Sequence, residues 1–224
     1  PLLGGIFCSI FLFVSFILSA YENFPIHVFS LFFGLVIFSS ISILFTLKKK
    51  SELSFLLFLF FFIGIFIGLF ITTLKPISLS NDFFSIFFSG MISICAMILP
   101  GLSGSFILLI LGKYFYIIEA VKNLDIPILL IFATGALVGL FSFSRIISFF
   151  LKKYYDNSLF FLVGLMLGSS NKLWPWKVEN TNVSPFFYHE FSNESSYLIS
   201  SIIIFIISGI IILIFENKKL KLND

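Results

Sequence analysis

Charge is what this 224-residue chain has least of: Asp, Glu, Lys and Arg together make up 11% of it, where a soluble globular domain carries roughly 25%. That leaves too little polar surface to coat a water-soluble globule, so a soluble enzyme is excluded. Cysteine is almost absent as well. Cys8 and Cys95 both sit inside apolar runs, where they act as small hydrophobes, and they offer neither a disulfide framework nor a zinc-ligand spacing. The two histidines, His27 and His189, are isolated and expected at the surface, and His189-Glu190 lacks the second histidine of a zinc helix. No metal site and no cofactor is expected. Group-transfer chemistry in a membrane enzyme calls for a histidine nucleophile, a carboxylate cluster or a metal, so the chain is not expected to be an enzyme. The 14 basic and 11 acidic residues leave a net charge of +3, but the basic ones form short clusters between apolar runs. With no continuous basic face, nucleic acid is not an expected partner.

What the chain has in abundance is hydrocarbon. Hydrophobic residues make 59% of it, 35 of its residues are Phe, and the mean hydropathy is +1.13. Such a chain is solvated by lipid, and the bilayer is its first partner. Spanning a hydrocarbon core takes roughly 20 apolar residues as helix, because every backbone polar group there must be satisfied internally. Five runs fit, at about 3–20, 26–47, 53–74, 126–150 and 197–215, and a shorter sixth lies at about 158–173. The expected fold class is an all-α integral membrane protein, a polytopic helical bundle.

A different pattern lies between Asp82 and Lys122. Two apolar stretches, about 83–98 and 104–121, flank Pro100-Gly101-Leu102-Ser103-Gly104-Ser105. Each is short for a span, and the Pro-Gly break falls where the bilayer is deepest. This predicts a re-entrant helical hairpin over 83–121, tolerated at that depth only when buried in protein or lining a wet cavity. With the hairpin returning to its own side, one face collects Lys48, Lys49, Lys50, Lys152, Lys153, Lys218, Lys219 and Lys221. The other collects Lys75, Lys122, Lys172 and Lys177. The richer face is expected to be cytoplasmic, which puts the 174–196 loop, with Trp174, Trp176 and Tyr188, outside.

Sliding the chain against itself by 130 residues aligns 5–40 with 135–170 without a gap. Gly5/Gly135, Phe11/Phe141, Phe13/Phe143, Ile17/Ile147, Gly34/Gly164, Leu35/Leu165 and the pair Ser39-Ser40/Ser169-Ser170 are identical. The number of crossings between the copies is odd, so they run oppositely through the membrane. That is the inverted-repeat layout of alternating-access carriers, whose sites lie near the midplane at broken helices. The same offset places the partner of 100–105 before residue 1, so a first-half hairpin is expected upstream of Pro1. The expected organisation is one transmembrane domain over 1–224. Within it, 1–82 holds the remainder of a first repeat and a linking span, and 83–173 a second repeat. The extracytoplasmic loop covers 174–196, and the last span with its basic tail covers 197–224.

Three groups of residues could carry chemistry. Pro100 ends the first arm by removing a donor, and Gly101 and Gly104 permit close approach of a ligand. The second arm then opens with unpaired N–H groups beside the Ser103 and Ser105 hydroxyls, an anion pocket suited to phosphate. The alternative is a plain helix break capped by serines. Arg145, the single arginine, lies inside the 126–150 run. Its planar fork suits phosphate, and the competing reading is a side chain snorkelling to the interface. Lys113 and Glu119 on the second arm are secondary candidates, one for phosphate and one for coupling, with interfacial exposure the plainer reading of Glu119. The pairs Gly64/Gly68, Gly135/Gly139 and Gly164/Gly168 read as helix contacts.

The stretch Ala96-Met97-Ile98-Leu99-Pro100-Gly101-Leu102-Ser103-Gly104-Ser105-Phe106, with Leu111-Gly112-Lys113-Tyr114, Gly164-Leu165-Met166-Leu167-Gly168-Ser169-Ser170 and Trp174-Pro175-Trp176, resembles the bacterial polyprenyl-phosphate translocase family, once a domain of unknown function. The likeness covers nearly the whole chain. It implies transport of undecaprenyl phosphate across the bacterial cytoplasmic membrane, recycling the lipid carrier of cell-envelope synthesis, by inverted repeats with a Pro-Gly-x-Ser-Gly hairpin in each half. Ser103, Gly104 and Ser105 carry over by motif. Ser169 and Ser170 match the family's Gly-Ser element. The competing function is a small-anion or ion-coupled transporter without a lipid substrate. Coupling ion, direction of transport and oligomeric state, a homo-oligomer included, stay open.

Overall fold

The computed structural model describes residues 16–50, 54–77, 79–178, 181–192 and 195–222 and is almost wholly helical. After a helical stretch at 16–23 come α1 (Pro25–Lys50), α2 (Phe55–Thr73), α3 (Phe83–Ile98), α4 (Gly104–Ile110), α5 (Tyr114–Lys122), α6 (Ile126–Lys153) and α7 (Tyr155–Ser169). A 3-10 turn at Ser170–Leu173 leads to an antiparallel ribbon of β1 (Lys177–Val178) and β2 (Thr181–Asn182), then α8 (Tyr188–Ser192) and α9 (Leu198–Leu222).

Among the described residues, four segments are long and apolar enough to cross a membrane: Pro25–Leu47, Phe55–Thr73, Ile126–Lys153 and Leu198–Phe215. They meet the expected runs to within a few residues, and the chain is a multi-pass, all-α membrane protein. The expected run at 3–20 lies mostly outside the described residues. The short sixth run is α7, whose 15 residues reach about 22 Å, less than the roughly 30 Å of a hydrocarbon core.

The chain divides into two compact units, residues 1–42 with 172–224, and residues 43–171. In the 43–171 unit the size order of a soluble core is reversed. Large rings face outward, Phe66 and Phe141 being 70% and 62% exposed, while glycine and serine fill the seams. A Cβ on Gly64 would stand 2.2 Å from the Phe161 carbonyl oxygen, and one on Gly164 2.1 Å from that of Phe61. Backbones touch there because no side chain intervenes, the packing that replaces the hydrophobic effect in lipid. Contact advances in the same sense along both helices, since Gly64 meets Phe161 and Gly68 meets Leu165; α2 and α7 are therefore parallel. So are α3 and α6, where Gly135 meets Phe87 and Gly139 meets Met91.

Two parallel helices in contact start from the same end, so the chain that leaves along α3 has returned by the start of α6. The return path is a correction to the expected second arm. The apolar stretch 104–121 is not one helix but α4 and α5, bent by 110° at Leu111–Lys113. Gly112, at φ +66, takes the left-handed conformation that costs a glycine least. The Gly112 amide donates to the Leu109 carbonyl at 3.0 Å and the Lys113 amide to that of Leu108 at 2.9 Å, a Schellman cap that stops α4.

In the other unit, α1 and α9 also run parallel, Gly34 against Phe205 and Ser208, Gly209 against Phe38. A small core of Ile26, Trp176 and Tyr188 closes the segment after the 3-10 turn. His27, expected at the surface, is part-buried, with Nε2 2.8 Å from Ser200 Oγ.

Candidate functional site

The 99–105 tip owes its shape to two residues. Proline forces the residue before it out of the helical region, and Leu99 at ψ 130 ends α3. Gly101 follows at φ +87, and the Leu102 amide reaches the Leu99 carbonyl at 3.4 Å. Proline then glycine in the two central positions, the second with positive φ, is a type II turn.

The turn lies against the end of α7. A Cβ on Gly101 would be 2.4 Å from Ser169 Oγ and 3.0 Å from Met166 Cα, so the Pro-Gly-Leu-Ser-Gly and Gly-Ser-Ser segments meet at one place. Ser169 and Ser170 are buried, and their hydroxyls donate back to the Met166 and Leu167 carbonyls at 3.1 and 2.7 Å. Their protons are spent inside α7, and what they offer the tip is a small, close-packed floor.

Ser103 stands at the cap position of α4 yet caps nothing; its Oγ lies 2.7 Å from Ser105 Oγ, and both residues are exposed. The Gly104 and Ser105 amides, in the first turn of α4, have no intrahelical acceptor. One hydroxyl of this bonded pair keeps its proton free, and with the two amides of the same turn it makes a neutral cluster of donors for an anion. Gly104 is pressed onto α3, where a Cβ would be 2.9 Å from the Ser93 carbonyl oxygen. Ser93 itself is buried, and its hydroxyl has no partner among the described residues. Sequence reasoning passed over Ser93, whose one signal is the four-residue spacing of Ser85, Ser89 and Ser93.

The remaining candidates stand apart from this cluster. Lys113 is fully buried, and its three ammonium protons go to the Leu79 carbonyl at 2.8 Å, the Ser80 carbonyl at 2.6 Å and Asn81 Oδ1 at 2.6 Å. With the Ile77 amide donating to the Ile110 carbonyl at 2.7 Å, it ties the segment before α3 to the α4–α5 bend. In that segment the Ser80 hydroxyl donates to Asp82 and holds its carboxyl below the usual carboxylate value. Glu119 is exposed on α5. Arg145 is exposed on α6, and helical spacing puts it on the face opposite Phe143, Ile147 and Phe150, which line a half-open slot with Leu99. Among the described residues Arg145 has no hydrogen-bond or ion-pair partner. No group of three or more His, Cys, Asp or Glu that could hold a metal occurs among the described residues.

Over residues 1–187 the chain matches the model of a family described as undecaprenyl phosphate translocase-like. It is 39% identical over 235 residues to a polyprenyl-phosphate transporter of Vibrio cholerae serotype O1, covering 98% of this chain and 75% of that protein. A polyprenyl-phosphate transporter of Staphylococcus aureus is 33% identical over 95 residues, 40% of this chain and 34% of its own. No solved structure matches the chain.

Proposed function

Because the chain belongs to the undecaprenyl phosphate translocase-like family, we propose that it carries polyprenyl phosphate across the bacterial cytoplasmic membrane, the phosphate being received at the 99–105 tip. Moving that head group through hydrocarbon unaided means stripping water from a charge, at a cost of many kcal/mol. The tip substitutes the Ser103 and Ser105 hydroxyls and the Gly104 and Ser105 amides for lost water. It does so without a cation from Lys113 or Arg145, and a neutral seat suits a carrier, which must release what it binds. In this reading the α3–α4 hairpin is re-entrant and the 130-residue repeat is the trace of two inverted halves. The protein acts as a carrier that returns the lipid for another round of cell-envelope synthesis and performs no bond chemistry on it.

The observation that carries the reading is the meeting of Gly101 with Ser169, because it seats an open donor cluster at the end of a helix too short to cross. The test is native mass spectrometry of the full-length protein with undecaprenyl phosphate and undecaprenol. Preferential retention of the phosphate is expected. Replacing Ser103 and Ser105 together by Ala should weaken it by about 1.5–3 kcal/mol per lost charge-assisted bond. Equal retention of the two lipids by the wild-type protein would overturn the reading and favour a transporter of small anions.

A further inference from the structure

An apolar slot of about 570 Å3 opens in the 43–171 unit between α2, α6 and α7, within the roughly 300–1,000 Å3 typical of ligand sites. Phe60 and Ile63 of α2, Ile147 and Phe150 of α6, and Phe161 and Leu162 of α7 wall it. Leu99 lines it too, and Leu99 is the residue before Pro100. The slot therefore begins where the donor tip begins and extends to Tyr154, Asn157 and Ser158 at the α6–α7 turn.

We propose that this slot holds the isoprene units next to the phosphate while the phosphate sits on the tip, so that the site reads the lipid's chain as well as its head group. The proposal rests on the tip being the phosphate seat. Its occupant follows from continuity: a ligand that is charged at one end and apolar beyond it meets donors at Ser103 and Ser105 and hydrocarbon from Leu99 onward. A chain that leaves the bilayer gains no hydrophobic free energy on entering an apolar slot, since lipid is as apolar as leucine. What it gains is dispersion contact with fixed walls. The slot accordingly supplies discrimination and alignment, with a modest share of affinity.

Ile147→Trp and Leu162→Trp fill the slot from two different helices. In the full-length protein, each is expected to lower the preference for undecaprenyl phosphate over dimethylallyl phosphate by about tenfold, the scale of roughly ten lost dispersion contacts. The preference for undecaprenyl phosphate over undecaprenol should persist. An unchanged chain preference in both variants overturns the slot and leaves the phosphate seat standing. A wild-type protein that does not distinguish phosphate from alcohol overturns the seat, and the slot with it. Crosslinking of wild-type protein avoids any folding defect of the variants. A diazirine on the first isoprene of undecaprenyl phosphate is expected in peptides covering 143–151 and 157–162. Labels confined to outward side chains such as Phe141, or equal labelling by a diazirine phospholipid, would sink the inference.

Discussion

The Pro-Gly-Leu-Ser-Gly tip and the Trp-Pro-Trp segment are both short turns with proline at their centre, and they are finished in opposite ways. Around Trp174-Pro175-Trp176 every indole donor is used. Trp174 Nε1 donates to the Val183 carbonyl at 2.9 Å and Trp176 Nε1 to that of Ser196 at 2.8 Å. Trp176 packs with Ile26 and Tyr188 in a closed core. At the tip the hydroxyls of Ser103 and Ser105 have, among the described residues, only each other, and the turn at Gly101 packs directly on Ser169 and Met166. One turn closes its hydrogen bonds and is built for stability; the other leaves them open, and a turn of that kind is built to meet something.

The largest effect that tests this contrast is Trp176→Ala. Removing a buried tryptophan costs about 3–5 kcal/mol, so thermal unfolding in detergent should drop steeply and limited proteolysis should cut within 174–196. Held below its melting temperature, the variant should still prefer undecaprenyl phosphate to undecaprenol. Loss of that preference in folded protein would make the Trp-Pro-Trp segment part of the site and erase the contrast.

A smaller effect sharpens the other side. Gly101→Ala meets three obstacles, the φ of +87, the Ser169 hydroxyl 2.4 Å from the new methyl and the Met166 Cα 3.0 Å from it. Strain of about 1–3 kcal/mol is expected, with loss of phosphate preference as the tip shifts. Adding Ser169→Ala removes the hydroxyl and leaves the φ and the Met166 backbone, so the double variant should regain part of the binding. A double-mutant cycle reads this as a coupling of about 0.5–3 kcal/mol. Strict additivity would mean that the tip does not lean on α7.

Run length made the spans legible, because lipid leaves a helix only one way to satisfy its backbone, and spacing made the glycine seams legible. The tip was legible too, since proline and glycine dictate their own backbone angles. The bend at Gly112 was not. Residues 104–121 are apolar straight across it, and a single glycine inside such a run reads as well for packing as for a cap. The surroundings of Lys113 were not legible either. Charge suggested a ligand for phosphate, but its protons are taken by residues 79–81, which sequence separation hid. Arg145 shows what composition withholds: intramembrane position is readable from the chain, whereas the face a side chain occupies depends on which helices pack beside it. The contact of Gly101 with Ser169 joins motifs that were each visible, yet only the parallel packing of α2 with α7 sets the height of Ser169.

The smallest expected effect lies beside the closed turn, at Lys177. Its ammonium donates to the Lys172 carbonyl and sits 4.6 Å from the centre of the Phe29 ring. Burial first, and the charge of Lys172 second, bring its pKa from 10.5 down to about 8. A lysine that sheds its proton more readily when folded than when unfolded contributes stability that is complete above the unfolded value. That contribution is lost as pH falls through about 8. The transition of the segment around Trp174 and Trp176, the only tryptophans of the chain, should therefore move to higher temperature between pH 7.5 and 10 when followed by their fluorescence. Side-chain exposure and the Phe29 ring, which favours the cation, keep the change small. Lys177→Met should flatten the slope, and the difference between the two proteins cancels other groups that titrate in the same window. A slope that survives the substitution would show that the closed turn also holds a titrating group elsewhere, and that its hydrogen bonds are less complete than those of the two indoles.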